Sequence, residues 1–168
     1  MDNWLKYFSK EEISGFRGAE NLYGKAYLIC EKIFDGKKNK AGMPYMDYLV
    51  SLANNFNEEK AKVVSLMHDI FKETDLTESD LSYIGFPSDI VKAISILTRE
   101  KNEDYEDFIN RIINSKNSLA LQVKKEDLKQ SMNVSGFEVS EDYLNRIDVR
   151  YKPQYEKIEV YLNETEES

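Results

Sequence analysis

Apolar side chains recur three and four residues apart along most of the chain, which is the spacing of one face of an α-helix. Residues 22–33 carry one such stripe, which stops at Gly36. The pattern also predicts a short helix at residues 4–8 and an irregular stretch at residues 14–18. Further helices are predicted after Pro44, Asn57, Thr77, Pro87 and Ser140, around residues 105–113 and at residues 118–132.

This periodicity and the scarcity of Gly and Pro, at 7 and 3 residues, predict an all-α fold. A chain of 168 residues suits one domain with a substantial core, and we expect a single helical bundle of about eight helices. Pro153 is expected to break or kink the last helix. The acidic tail at residues 163–168 is expected to be frayed.

The only histidine, His68, lies in an apolar stretch at residues 63–71 that the pattern assigns to one helix, and Asp69 follows it. Burying an imidazole and a carboxylate among apolar side chains costs free energy unless they share a partner. A divalent metal is one such partner, because it binds neutral His nitrogen and carboxylate oxygen together. The alternative is a core histidine that is hydrogen-bonded to its neighbours, with Asp69 facing solvent.

A second acid continues an apolar stripe in the helix predicted at residues 118–132. Asp127 follows Leu119 and Val123 at four-residue spacing, which makes it another candidate for a buried carboxylate. The alternative is that the helix is exposed at this point, because the charged residues 124–126 precede Asp127 directly.

The balance of charge limits the ligands that the chain can bind. Lys and Arg number 23 and Asp and Glu number 31, so the net charge is −8, which argues against a nucleic-acid partner. The loop at residues 37–42 is nevertheless basic. This loop is either an ordinary solvated loop or the rim of an anion site.

Cysteine usage and hydropathy indicate the compartment. Cys30 is the only cysteine, so we expect no disulfide and a reducing environment. No apolar run approaches the roughly 18 residues that a membrane-spanning helix needs, and the first residues lack the layout of a signal peptide. The sequence therefore predicts a cytoplasmic protein without a membrane partner.

Several short segments, taken in order, resemble the HD-domain proteins of the RelA/SpoT type. The segment at residues 40–46, KAGMPYM, is similar to the family's Lys-Ala/Ser-Gly-x-Pro-Tyr-Ile. The segment at residues 67–77, MHDIFKETDLT, is similar to its His-Asp motif and the residues that follow that motif. YIGF at residues 83–86 and ILTR at residues 96–99 resemble its Gly-Phe and Leu-Thr-Arg/Lys landmarks. KKEDL at residues 124–128 resembles the segment that carries its distal aspartate.

The resemblance implies a single HD domain over the whole chain, with its core at residues 20–135 and C-terminal helices at residues 140–162. It also implies a divalent metal, most often Mn²⁺, of which His68, Asp69 and Asp127 would be ligands. The family's alarmone hydrolases remove the 3′-pyrophosphate of guanosine tetraphosphate (ppGpp), with a metal-activated water attacking phosphorus.

The chain departs from the family pattern at the site itself. Tyr48 stands where the family has its first metal histidine. Lys72 and Glu73 stand where the family has a Glu-Asp pair linked to water activation. Glu73 is then the best remaining group to orient a water. Lys72 is expected to replace part of the metal's charge, either by pairing with Asp69 or by binding a phosphate.

These features predict two main functions for the chain. The first is a metal-dependent phosphohydrolase similar to the ppGpp hydrolases, active or weakened, with Glu73 and Lys72 in catalysis. Lys40 and Lys124 would then contact the nucleotide substrate. The second is an inactive relative, a pseudoenzyme that binds a nucleotide or a protein, with Tyr48 lining the pocket and no metal required. A helical domain without any ligand is a third alternative, and the sequence leaves the oligomeric state open.

Overall fold

Helices account for 68% of the chain, and residues 1–167, which the structure describes, contain no strand. The structure is a computed structural model. The prediction of an all-α, single-domain bundle is confirmed. No helix within the described residues is long and apolar enough to span a bilayer. The helices are α1 (Lys10–Gly18), α2 (Leu22–Ile33), α3 (Tyr45–Ala53), α4 (Glu59–Met67), α5 (Ile70–Glu73), α6 (Glu78–Tyr83), α7 (Ser88–Ile96), α8 (Tyr105–Ser115), α9 (Ser118–Met132), α10 (Glu141–Arg146) and α11 (Lys152–Glu167).

Helix α4 lies at the centre of the molecule, and every residue from Val63 to Met67 is buried. A helix that is buried on all sides must be covered by other helices, and α4 contacts α2, α3, α7 and α9. Helices α3 and α9 also contact each other. Side chains from α3, α4 and α9 therefore meet near the C-terminal end of α4.

Helix α4 ends before His68, so the single helix predicted over this stretch is wrong. Two side chains contact backbone carbonyl groups that would accept backbone hydrogen bonds if the helix were longer. The Nδ1 atom of His68 lies 2.8 Å from the carbonyl oxygen of Ser65, and the Cys30 thiol donates to the carbonyl oxygen of Leu66 at 3.2 Å. The chain then forms the four-residue helix α5. His68 and Asp69 consequently lie in the gap between two helices.

The N-terminal region contains more helix than the sequence predicts. Trp4–Lys6 form a 3-10 turn, but helix α1 replaces the irregular stretch expected at residues 14–18. Ser9 and Glu12 form a capping box that satisfies the first backbone N–H groups of α1. The helix then buries Phe16 on its apolar side.

The C-terminal region also differs from the prediction. The irregularity expected at Pro153 lies just before it, as a π-helical turn at Ile147–Tyr151 that joins α10 to α11. Pro153 itself is the second residue of α11, directly after that turn. Helix α11 continues to Glu167, within the acidic tail, and the fraying of that tail stays a prediction. Ser168 lies outside the described residues.

Candidate functional site

A cavity of about 350 Å³ opens near the C-terminal end of α4. Helices α3, α5, α8 and α9, the loop after α2, and the π-helical turn all contribute side chains to it. Seven basic and three acidic residues line the cavity, although the net charge of the chain is −8. The basic residues are Lys37, Lys38, Lys40, Lys72, Arg99, Lys124 and Arg150, and the acidic residues are Asp69, Glu73 and Asp127.

His68 lies close to two carboxylates at the floor of this cavity. Its Nε2 atom is 3.3 Å from Oδ2 of Asp69 and 3.9 Å from Oδ2 of Asp127. Because the carbonyl oxygen of Ser65 can only accept, the Nδ1 atom that faces it carries the hydrogen. Burial lowers the pKa of His68, so the ring is neutral and Nε2 presents a lone pair. The structure thus brings together the three residues that the resemblance named as metal ligands.

Two tyrosines from α3 donate hydrogen bonds to these carboxylates. Tyr48, which is buried, donates to Oδ1 of Asp127 at 2.6 Å and lies 2.7 Å from Oγ of Ser131. Tyr45 donates to Oδ2 of Asp69. The rings of Tyr45 and Tyr48 stack with their centroids 5.9 Å apart. Burial and the negative charge of Asp127 raise the pKa of Tyr48 well above its usual value, so this phenol remains a neutral donor.

Lys124 adds a positive charge beside the same carboxylates. Its side chain is buried, and Nζ lies 3.3 Å from Oδ2 of Asp127. Nζ also lies 5.4 Å and 5.2 Å from the ring centroids of Tyr105 and Phe108, which is the geometry of cation–π contacts. Burial opposes this charge, but Tyr105 and the carboxylates of Asp127 and Asp69 raise the pKa of Lys124 above its usual value. The ammonium group is therefore charged throughout the physiological pH range.

The two carboxylates at the cavity floor ionise differently. Burial and the negative charge of Asp127 raise the pKa of Asp69 to about 6. Burial also opposes the charge on Asp127, but the charge of Lys124 and the hydrogen bond from Tyr48 outweigh burial and hold the pKa of Asp127 below its usual value. Asp127 is thus the permanent anion of the pair, and Lys124 is its counterion.

A resident divalent ion does not fit the contacts in this arrangement. Among the side chains that the structure describes, no group of three or more His, Cys, Asp and Glu residues could hold a metal ion. The Oδ2 atom of Asp127 already contacts the Lys124 ammonium group, and Asp69 accepts the hydrogen of Tyr45. Tyr48 presents a hydrogen where a metal requires an electron pair. The Mn²⁺ site stays a prediction from the resemblance.

The other residues named from the sequence lie at the wall of the cavity. Lys40, Lys72 and Glu73 all line it. Oε2 of Glu73 lies 2.7 Å from Nζ of Lys37, so a lysine already holds this carboxylate. In the described part of the chain, Lys72 forms no salt bridge with Asp69, although its charge opposes the rise in the pKa of Asp69. The pairing predicted for Lys72 is therefore absent there, and its role in binding phosphate stays a prediction.

Sequence reasoning missed several residues at this site. Tyr45 could have been found, because it lies three residues before Tyr48 and so shares its helical face. Arg99 belongs to the ILTR segment that supported the resemblance, yet its side chain was given no role. Arg150 and Tyr151 give no local signal, because polar positions in a C-terminal helix usually face solvent.

Comparison of the chain with models of protein families finds no match, and comparison with curated proteins finds no significant match. The fold and the site define an all-α domain with a positively charged cavity that is lined by aromatic rings. The resemblance to the HD-domain proteins rests on the short segments at residues 40–46, 67–77, 83–86, 96–99 and 124–128.

Proposed function

We propose that this chain is an HD-like domain that binds a small phosphorylated nucleotide in its cavity and does not hydrolyse it. The observation that carries the proposal is the positive charge of the cavity in a chain whose net charge is negative. Seven basic residues face three acidic ones there, in a chain whose net charge is −8. Clusters of Lys and Arg in a cleft attract and hydrogen-bond phosphate groups. The resemblance to the ppGpp hydrolases makes guanosine tetraphosphate the first ligand to test.

Aromatic side chains offer a surface for the base of such a nucleotide. Tyr105 and Tyr151 line the cavity with ring centroids 6.4 Å apart, and Phe34 and Tyr45 line it with centroids 5.0 Å apart. Tyr45, Tyr105 and Tyr151 are partly exposed, and nucleobases stack on rings of this kind, whereas Phe34 is buried. The cavity volume of about 350 Å³ lies in the range of small-molecule sites. Both parts of a nucleotide, the base and the phosphates, thus have matching groups.

The side chains that would hold a metal or orient a water are already paired with other groups, which supports binding without hydrolysis. In the family, hydrolysis requires a metal-activated water. Here Lys124 neutralises Asp127, and Tyr48 donates a hydrogen to the same carboxylate. Glu73, the remaining candidate to orient a water, is paired with Lys37. Loss of such a group typically costs a factor of roughly 10²–10⁴ in rate.

Titration calorimetry with guanosine tetraphosphate in the presence of EDTA tests the proposal. We expect saturable binding at low ionic strength, and binding of guanosine that is weaker by about tenfold or more, because guanosine lacks phosphates. A double variant, Lys40→Gln with Lys72→Gln, should lose about tenfold in affinity. Lys10→Gln, on the exposed side of α1, is the matched control and should bind normally. Equal binding of guanosine and guanosine tetraphosphate, or no binding, would refute the proposal.

Metal-dependent hydrolysis is the second candidate function. It is favoured by the position of His68, whose Nε2 lies 3.3 Å and 3.9 Å from carboxylate oxygens of Asp69 and Asp127. For an ion to bind, the Tyr48 hydroxyl and the Lys124 ammonium group would have to leave these carboxylates. Metal content after incubation with Mn²⁺, followed by an assay for pyrophosphate release from guanosine tetraphosphate, separates the two functions. A stoichiometric ion with turnover would favour the hydrolase, and binding without turnover would favour the proposal above.

A further inference from the structure

The C-terminal segment brings arginine side chains to the edge of the cavity. Its π-helical turn and α11 both pack on α9, and the Tyr143 hydroxyl anchors it by donating to the carbonyl oxygen of Ser131 at 2.6 Å. Arg150 lines the cavity, with its guanidinium carbon 4.9 Å from the centroid of the Tyr105 ring. Turns of the π-helical type are frequent at functional sites. The segment is therefore a fixed wall of the cavity.

Arg146, at the end of α10, has a buried side-chain nitrogen without a hydrogen-bond acceptor. Its Nη1 atom is buried and has no hydrogen-bond partner among the described residues. A buried guanidinium N–H without an acceptor is unfavourable, and such groups in native proteins usually serve a ligand, an ion or a water. Arg146 is not itself among the residues that line the cavity, but it lies directly before the π-helical turn, one helical turn from Arg150, which does line it.

Lys40, on the loop after α2, lines the same cavity as Arg150. Burial lowers the pKa of Lys40, and the positive charges of Arg146 and Lys72 lower it further. Arg150 and Arg99 act in the same direction. In the part of the chain that the structure describes, none of these basic side chains forms a salt bridge with a carboxylate. Like charges held together without a counterion repel one another, and an anion between them would remove that repulsion.

We infer that Arg146, Arg150 and Lys40 form an anion subsite that binds a terminal phosphoryl group of the ligand. This inference rests on the proposed function and deepens it, because it assigns a second point of contact beyond the floor at Lys124. The class of ligand is a compound with a phosphate monoester or a pyrophosphate group. Guanidinium groups present paired N–H donors that match phosphate oxygens. A phosphoryl oxygen would supply the acceptor that Nη1 of Arg146 lacks.

Inorganic pyrophosphate is the probe for this subsite, because it presents phosphoryl groups without a base. Titration calorimetry in EDTA and at low ionic strength should detect binding to the unmodified chain. Arg146→Gln and Arg150→Gln should each weaken that binding by about tenfold. Arg146→Lys and Arg150→Lys keep the charge but lose the paired donors, and they should show a smaller loss. Lys152→Gln, an exposed position beside the π-helical turn, is the matched control and should not change the affinity.

Folding of each variant is checked by its thermal melt, and the Lys variants serve as the test if the Gln variants unfold. The inference is overturned if the unmodified chain does not bind pyrophosphate, or if the folded arginine variants bind it with unchanged affinity. Guanosine tetraphosphate separates the two proposals. If it binds the unmodified chain and the arginine variants equally, the nucleotide site stands and only the subsite fails. If the unmodified chain binds neither ligand, both proposals fail.

Discussion

Lys25 and Lys124 are both buried, at 3% and 8% exposure, but their ammonium groups have different partners. Nζ of Lys25 donates to the carbonyl oxygen of Ile84 at 2.8 Å and lies 5.2 Å from the centroid of the Phe86 ring, and burial lowers the pKa of Lys25. Nζ of Lys124 lies 3.3 Å from a carboxylate oxygen of Asp127, and the pKa of Lys124 is raised. Burial alone therefore does not distinguish a lysine with a structural role from a lysine at a ligand site.

The surroundings of the two lysines separate these roles. The N-terminal cluster comprises Asn3 and Lys25 together with Asp80 and Gly85, at α6 and its C-terminal end, which Asn3 and Lys25 respectively approach, and the polar groups there have hydrogen-bond partners. Oδ2 of Asp80 accepts from Nδ2 of Asn3 at 2.9 Å and from the backbone N–H of Thr77 at 2.8 Å. In the cavity, seven basic residues face three acidic ones, so positive charge remains unbalanced. An excess of one charge, rather than burial, distinguishes the region that can take up a ligand.

Replacing each of these two lysines by methionine is expected to give the largest difference in nucleotide affinity between the two regions. Lys124→Met removes a desolvated cation from the cavity floor and should weaken guanosine tetraphosphate binding by about 100-fold. Lys25→Met should leave the affinity within about twofold, because Lys25 is no part of the cavity. Calorimetry in EDTA gives the affinities, and circular dichroism verifies that both variants are folded. Comparable losses in two folded variants would show that the distinction between the two lysines is wrong.

Adding a methyl group at Gly85 should affect stability and leave binding unchanged. Gly85 has φ +103°, and a Cβ built there would lie 2.9 Å from Nζ of Lys25. Both the backbone conformation and the close approach disfavour alanine, so we expect Gly85→Ala to lower the free energy of unfolding by about 1–3 kcal/mol. Gly18→Ala is the matched control, because a Cβ there meets nothing within 4 Å.

Urea unfolding curves measure this difference, with nucleotide affinity as the second readout. Gly18→Ala should be neutral or should raise the stability by up to about 1 kcal/mol, since alanine favours helix. If Gly85→Ala weakens nucleotide binding while Gly18→Ala does not, the N-terminal cluster and the cavity are coupled. The N-terminal cluster and the cavity would then not be independent regions.

Helices with strong local signals could be predicted from the sequence. The bounds Ser118–Met132 were expected and are found in α9, where the Asn117 side chain caps the first turn. A helix was likewise expected after Thr77, and Thr77 and Asp80 form a capping box at the start of α6. The break before His68 could not be predicted, because one of the groups that occupies a carbonyl of α4 comes from another helix.

The site could be predicted less completely than the fold. The resemblance named His68 and Asp127, which pack near each other, but their chemistry stays a prediction. A lysine three residues from an acid on a helix is typical of a solvated pair, so the burial of Lys124 was not foreseen. The approach of Arg150 to the cavity depends on how the C-terminal segment packs on α9, and no local sequence pattern predicts that contact.

The smallest predicted effect concerns the acid of the N-terminal cluster. Burial opposes the charge on Asp80, but hydrogen bonds from Asn3 and Thr77 outweigh burial and lower the pKa of Asp80. Because the folded-state pKa is below the unfolded value, this carboxylate stabilises the fold above about pH 4, and the contribution is lost as the pH falls through the folded-state pKa. Asp80→Asn should therefore cost about 1 kcal/mol at neutral pH, and this cost should shrink as the pH falls below about 4.

Urea unfolding of the unmodified chain and of Asp80→Asn, at neutral pH and at a series of pH values below about 4, measures this change. Asp69, with its pKa raised to about 6, titrates in both proteins, so the difference between the two proteins is the informative quantity. A difference that persists unchanged at low pH would show that the hydrogen bonds of Asp80, and not its charge, stabilise this cluster.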